Sequence, residues 1–169
     1  MEQERRRYPI GIQTFSEIIE GKYVYIDKTD LVWQMANGAK FIFLNRPRRF
    51  GKSLLTSTLY AYFRGQKELF QGLRITELEQ AWTSYPVIHL DLGILKGKEN
   101  AAELQRSLCL MLYQIKDYGN DPMEKTPGEM LRGMIQRANQ QTGRKVVVLV
   151  DEYDAPLLDV LHTDATLAD

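Results

Sequence analysis

Apolar residues along this chain come either in short unbroken runs or at spacings of three and four, and the two patterns alternate. The runs Phe41-Ile42-Phe43-Leu44, Val87-Ile88-His89-Leu90-Asp91-Leu92 and Val146-Val147-Val148-Leu149-Val150 read as strands, the last two as buried ones. Between them, Leu55, Leu59 and Phe63 predict a helix with one buried face, ended by Gly65. Ile75, Leu78 and Trp82 predict another, stopped by Pro86. Leu104, Leu108, Met111 and Ile115 keep helical spacing, as do Met130, Met134 and Ala138 up to Gly143. Thr126-Pro127-Gly128-Glu129 opens that last helix with a capping box and a proline in the first turn. Nearer the start, Thr14 with Glu17 predicts a capped short helix closed by Gly21. Tyr23 to Ile26 alternates weakly and reads as extended, and Leu31 to Met35 reads as helix up to Asn37-Gly38. Strands separated by helices imply an α/β fold with a parallel sheet and right-handed crossovers.

Two of the runs end in chemistry. After Phe41–Leu44 comes Arg46-Pro47-Arg48-Arg49-Phe50-Gly51-Lys52-Ser53, which closes on the Gly-Lys-Ser of a phosphate-binding loop. Gly51 lets backbone approach a phosphate, Lys52 can reach the β and γ phosphates, and Ser53 can offer its hydroxyl to Mg²⁺. The helix that starts there would aim unpaired N–H groups at the anion. The first glycine of the full pattern is replaced by Arg46, where Pro47 can preset a different turn. Val146–Val150 delivers Asp151-Glu152 to a strand end, where Asp151 would hold Mg²⁺ and Glu152 would orient or deprotonate a water. Asp154 would face the same way in an extended chain. The fold class expected is therefore a P-loop NTPase-like parallel sheet flanked by helices.

Tyr8-Pro9-Ile10-Gly11-Ile12, Tyr23-Val24-Tyr25-Ile26-Asp27-Lys28-Thr29, Arg46 to Leu55, and Val150-Asp151-Glu152-Tyr153-Asp154 together resemble the bacterial AAA-ATPase-like domain family. The resemblance runs from about Tyr8 to His162, and it makes the arginine at position 46 a family trait. It implies ATP with Mg²⁺ as the ligands, Arg49, Phe50, Gly51, Lys52, Ser53 and Leu54 as nucleotide contacts, Ser53 and Asp151 as metal contacts, and Lys52 and Glu152 as the catalytic pair. ATP over GTP rests on the resemblance alone, since no Asn-Lys-x-Asp guanine motif occurs. The resemblance also implies a nuclease-like effector domain or protein partner beyond this chain.

In related P-loop ATPases the chain continues into a central strand with a polar sensor. Here Asp169 ends the sequence, and Leu157-Leu158-Asp159-Val160-Leu161 is too interrupted to be that strand. Residues 1–169 are thus expected to form the N-terminal portion of such a domain, cut after the acidic strand. Either a longer protein or a shortened reading frame would explain it, and an open sheet edge is the structural expectation. Three functions follow: an ATP-hydrolysing regulatory switch, a non-catalytic domain that binds nucleotide weakly or only within a complex, and a small-molecule kinase. The kinase reading lacks a separate substrate segment or arginine lid.

Composition refines the picture only slightly. At 169 residues, 44% of them hydrophobic, the chain suits one core. Lys plus Arg and Asp plus Glu balance at 22 each, which leaves no basic footprint for nucleic acid. Met1–Arg7 has no apolar signal core, no run is long enough for a membrane helix, and a cytoplasmic protein is expected. Arg5-Arg6-Arg7 reads as a solvated terminus, and Cys109 as a small core residue. One Cys and two His cannot furnish a zinc site. Asp91 reads as a solvated loop acid or a holder of metal and water, and His89 as a hydrogen-bonded core residue. Arg46, Arg48 and Arg49 either contact ATP or pair with the acids near Asp151, and Tyr23, Tyr25, Asp27 and Lys28 are candidates for covering the adenine.

Overall fold

The computed structural model describes residues 6–45, 49–98 and 100–154. The chain divides into two compact units, Met1–Ser84 and Tyr85–Asp169. Among the described residues lie six α-helices, α1 (Phe15–Glu20), α2 (Thr29–Gly38), α3 (Lys52–Phe63), α4 (Ile75–Leu78), α5 (Ala101–Gln114) and α6 (Pro127–Thr142), and two strands, β1 (Val87–Asp91) and β2 (Val147–Asp151).

The first unit is helical and aromatic. Phe15, Val32, Ala61, Tyr62, Leu69, Phe70 and Ile75 form its core. Phe70 stacks at 4.8 Å from Phe15 and 5.2 Å from Trp82, ring centre to ring centre. The face of α3 that is fully buried is Thr58, Ala61 and Tyr62, while Leu55, Leu59 and Phe63 pack beside it half-buried. Gly65, at φ 70°, ends the helix as expected, and a Cβ there would stand 3.0 Å from the Trp82 carbonyl oxygen.

Three local expectations fail here. Thr14 precedes α1 but its side chain makes no capping bond, and the first amide of the helix is held from elsewhere: Phe15 N–H donates to Ser57 Oγ at 3.0 Å. The helix expected over Ile75–Trp82 stops at Leu78, since the Glu79 carboxylate accepts from the amides of Ala81 and Trp82 at 2.8 and 3.3 Å and turns the chain. Phe41–Leu44 is not a strand; Phe41, Ile42 and Phe43 are 85%, 49% and 70% exposed. An apolar run becomes a strand only where a neighbouring strand satisfies its backbone, and this unit has no strand among the described residues.

The second unit holds the sheet. β1 and β2 pair in parallel with Ile88 opposite Val148, Leu90 opposite Val150 and Asp91 opposite Asp151. Ile88 and Leu90 are covered by Met111 and Leu112 of α5 and by Met130, Met134 and Ala138 of α6. Val148 and Val150 share that face by register yet remain 37% and 44% exposed, so β2 is half-buried rather than buried. Each strand has one edge with no partner among the described residues. α6 starts as its sequence predicts: Glu129 N–H donates to Thr126 Oγ1 at 3.2 Å and Thr126 N–H to Glu129 Oε2 at 3.0 Å. The Glu129 carboxyl sits below the usual glutamate range because the Lys125 and Thr126 amides bond it. Arg137 grips Glu124 through two bonds, 2.6 and 3.2 Å, and both lie where a side chain at Gly133 would stand. His89 is exposed, contrary to its core reading, since it alternates away from Ile88 and Leu90. Cys109 is half-buried against the core, as expected.

The expectations on Arg46, Pro47, Arg48 and Leu157–Leu161 fall outside the described residues.

Candidate functional site

Arg49, Phe50, Gly51, Lys52, Ser53 and Leu54 lie in the first unit at the start of α3. Gly51 adopts φ 73°, and Arg49 before it φ 68°, so the backbone bends through two left-handed residues before the helix begins. Among the described residues nothing stands within 4 Å of where a Gly51 Cβ would be, which leaves the backbone free to meet a ligand closely. α3 has no side-chain cap, and its first backbone bond runs from Leu55 N–H to Gly51 O at 3.0 Å. The amides of Lys52, Ser53 and Leu54 thus precede the hydrogen-bonded ladder, the arrangement that suits an anion. Lys52 and Ser53 are half-buried, and Phe50 is 63% exposed.

Two residues of the Tyr23–Lys28 segment, Tyr25 and Asp27, are tied into the helices around them. Asp27 Oδ1 accepts from Thr29 N–H at 2.9 Å and Thr29 Oγ1 at 2.7 Å, while Oδ2 accepts from Arg74 N–H at 2.8 Å. Burial pushes the Asp27 carboxyl up, but the Arg74 and Thr29 bonds and the Arg74 charge outweigh it and hold it below the ordinary value. The fully buried Thr29 hydroxyl accepts in turn from Ile75 N–H at 3.1 Å. Tyr25 hydrogen-bonds Thr58 of α3, and burial foremost raises its phenol to about 12. These groups brace α2, α3 and α4 against one another, and Tyr25 and Asp27 are occupied in that frame rather than presented to a base.

Asp151 and Glu152 lie in the second unit at the end of β2. Asp151 is 9% exposed, and its Oδ1 accepts from Glu152 N–H at 2.9 Å. Glu152 turns sharply, at φ 51°, and its Oε2 lies 3.5 Å from Lys96 Nζ. Asp91 stands beside Asp151 in the ladder, exposed, with Oδ1 accepting from Gly93 N–H at 2.9 Å. Both carboxylates are at the C-terminal end of parallel strands, the usual ligand side. No group of three or more His, Cys, Asp or Glu is gathered to hold a metal among the described residues. Asp154 is half-buried beyond the strand.

Sequence reasoning missed Lys96, Gly93 and Ser57. Lys96 falls after the short 3-10 turn Leu92–Leu95, where no periodicity or motif singles it out.

The family model described as predicted AAA-ATPase matches residues 9–169. An uncharacterized protein from the vnfD 5′ region of Azotobacter chroococcum mcd 1 is 37% identical over 161 residues, covering 93% of this chain and 31% of that relative. The chain thus spans about a third of the length of the curated relative it matches. No solved structure matches it. No helix among the described residues is long and apolar enough to cross a membrane. With a family match over nearly its whole length, and a left-handed Gly-Lys-Ser turn opening α3, the chain belongs to the predicted AAA-ATPase family.

Proposed function

We propose that this chain binds Mg-ATP and hydrolyses it slowly, as a nucleotide-dependent regulatory module. The observation that carries the reading is the left-handed Gly51 directly ahead of the uncapped, 12-residue α3, with Lys52 and Ser53 as its first residues. The amides of Lys52, Ser53 and Leu54 would take phosphate oxygens, and the Lys52 ammonium would meet the charge on the β and γ groups. Ser53 and Asp151 would hold Mg²⁺, which when bound neutralises phosphate charge. Glu152 would accept the proton of the attacking water. Family membership supports an ATPase-like domain in general, and the residue roles are our extension of it.

Calorimetric titration with Mg-ATP and Mg-GTP, beside Lys52→Ala, tests the first step. We expect micromolar ATP binding that Lys52→Ala removes, and a Glu152→Gln chain that still binds but has lost at least about 100-fold in turnover, within the range of general-base effects. A folded chain that binds neither nucleotide would overturn the reading. A second reading, nucleotide bound weakly or only within a larger assembly, draws on the exposed Phe41–Phe43 run ahead of the loop. It predicts ATP binding by a longer protein carrying this chain and none by the chain itself.

A further inference from the structure

We propose that Lys96 restrains Glu152, holding its carboxylate against the turn after β1 until Mg-ATP draws it away. The proposal rests on the reading of Glu152 as the water-activating residue. The two side chains come from positions 56 apart in sequence and meet with Lys96 Nζ 3.5 Å from Glu152 Oε2. Two further features direct Glu152 to that side. Its backbone is left-handed at φ 51°, an uncommon state for a residue with a long side chain. Beneath it lies Gly93, where a Cβ would be 3.4 Å from both Glu152 Cβ and Cγ, so a larger residue would crowd the glutamate out of this position. The turn itself is pinned by the bond from Gly93 N–H to Asp91 Oδ1.

A carboxylate held 3.5 Å from an ammonium has fewer orientations open to it. It is also tied to the β1 side, away from free rotation toward a water. With the two side chains 52% and 27% exposed, the pair is weak enough to open. Ion pairs of this kind shift an equilibrium by at most about five-fold. Lys96 is therefore a positioning residue that slows turnover modestly and yields to a stronger competing charge, such as that of a nucleotide and its cation.

Zero-length carbodiimide coupling reads the contact without relying on activity, because it forms an amide only between touching amine and carboxylate. In the full chain without nucleotide, mass spectrometry should find the Lys96–Glu152 amide, and saturating Mg-ATP should lower its yield several-fold. Because Mg-ATP must open the pair, Lys96→Gln should bind it about two- to five-fold more tightly and turn over correspondingly faster below saturation, in keeping with the strength of such a pair. Lys96→Arg, which keeps the charge, should give less than half of that gain. ATP binding with an unchanged coupling yield, or a Lys96→Gln chain no faster than the parent below saturation, would overturn the restraint while leaving the reading of the site intact. Absence of ATP binding in the same preparation would remove that reading and the restraint with it.

Discussion

The two units of this chain are held by different kinds of bond. In the first, the bonds that fix the helices reach far along the sequence, side chain to backbone: Phe15 to Ser57, Ile75 to Thr29 and Arg74 to Asp27, separated by 42, 46 and 47 positions. In the second, much is decided locally: Thr126 and Glu129 cap α6 across three positions, and Asn100 caps α5 by accepting from Glu103 N–H at 2.9 Å. The first unit is thus a frame whose parts are stable only once assembled, and the second has elements that begin to form on their own.

The largest test strikes the shared core of the first unit. Phe70 is fully buried among Phe15, Tyr62 and Trp82, and Phe70→Ala should cost about 3–5 kcal/mol by urea unfolding. Next, Thr29→Val keeps the shape but strands the Ile75 amide and one Asp27 bond, which should cost about 1–3 kcal/mol. If Thr29→Val proved neutral, the long-range account of this unit would fail. In the second unit, Thr126→Ala should cost about 1 kcal/mol and should also lower the helix content of a peptide spanning α6, measured by circular dichroism. Loss in the protein with no change in the peptide would mean that α6 too is specified by its surroundings.

The smallest effect is a pH dependence. Asp27 titrates below the ordinary 3.8 in the folded chain, so its contribution is fully present above about pH 4 and is lost as pH falls through the folded value. The stability gap between the parent chain and Asp27→Asn should therefore be widest near neutrality and narrow in acid. A gap that stays constant down to pH 2 would show that the carboxylate charge contributes nothing beyond its shape.

This contrast also explains which features were legible in the sequence. β1, β2, α5 and α6 follow their apolar spacing closely, and α6 forms the capping box its residues spell. Thr14 and Glu17 spell a box as well, yet none forms, and the side-chain bond at the start of α1 comes from Ser57 of another helix. The short α4 and the left-handed Trp82 follow from Glu79, whose carboxylate gathers the Tyr62 hydroxyl and the Ala81 and Trp82 amides in three dimensions. Phe41–Leu44 has the composition of a strand but joins no ladder among the described residues. At the candidate site, Gly51-Lys52-Ser53 and Asp151-Glu152 stand out in the sequence because each is a contiguous motif. Lys96 does not, since only the parallel pairing of β1 with β2 and the turn after β1 bring it to Glu152.

The direction of the Asp27 and Thr29 bonds has a consequence for how this sequence can drift. Their acceptor atoms take main-chain N–H groups at positions 74 and 75, so the partners supply no side chain to these contacts. Arg74 is exposed, and its side chain adds an outer 3.8 Å ion pair to Asp30 and the least of the effects that lower the Asp27 carboxyl. Position 74 can accordingly exchange for almost any residue except proline, which lacks the donor, whereas positions 27 and 29 have almost no substitutes. A survey of variants that retain folding should find one side of this contact nearly fixed and the other, at position 74, varying without a compensating change.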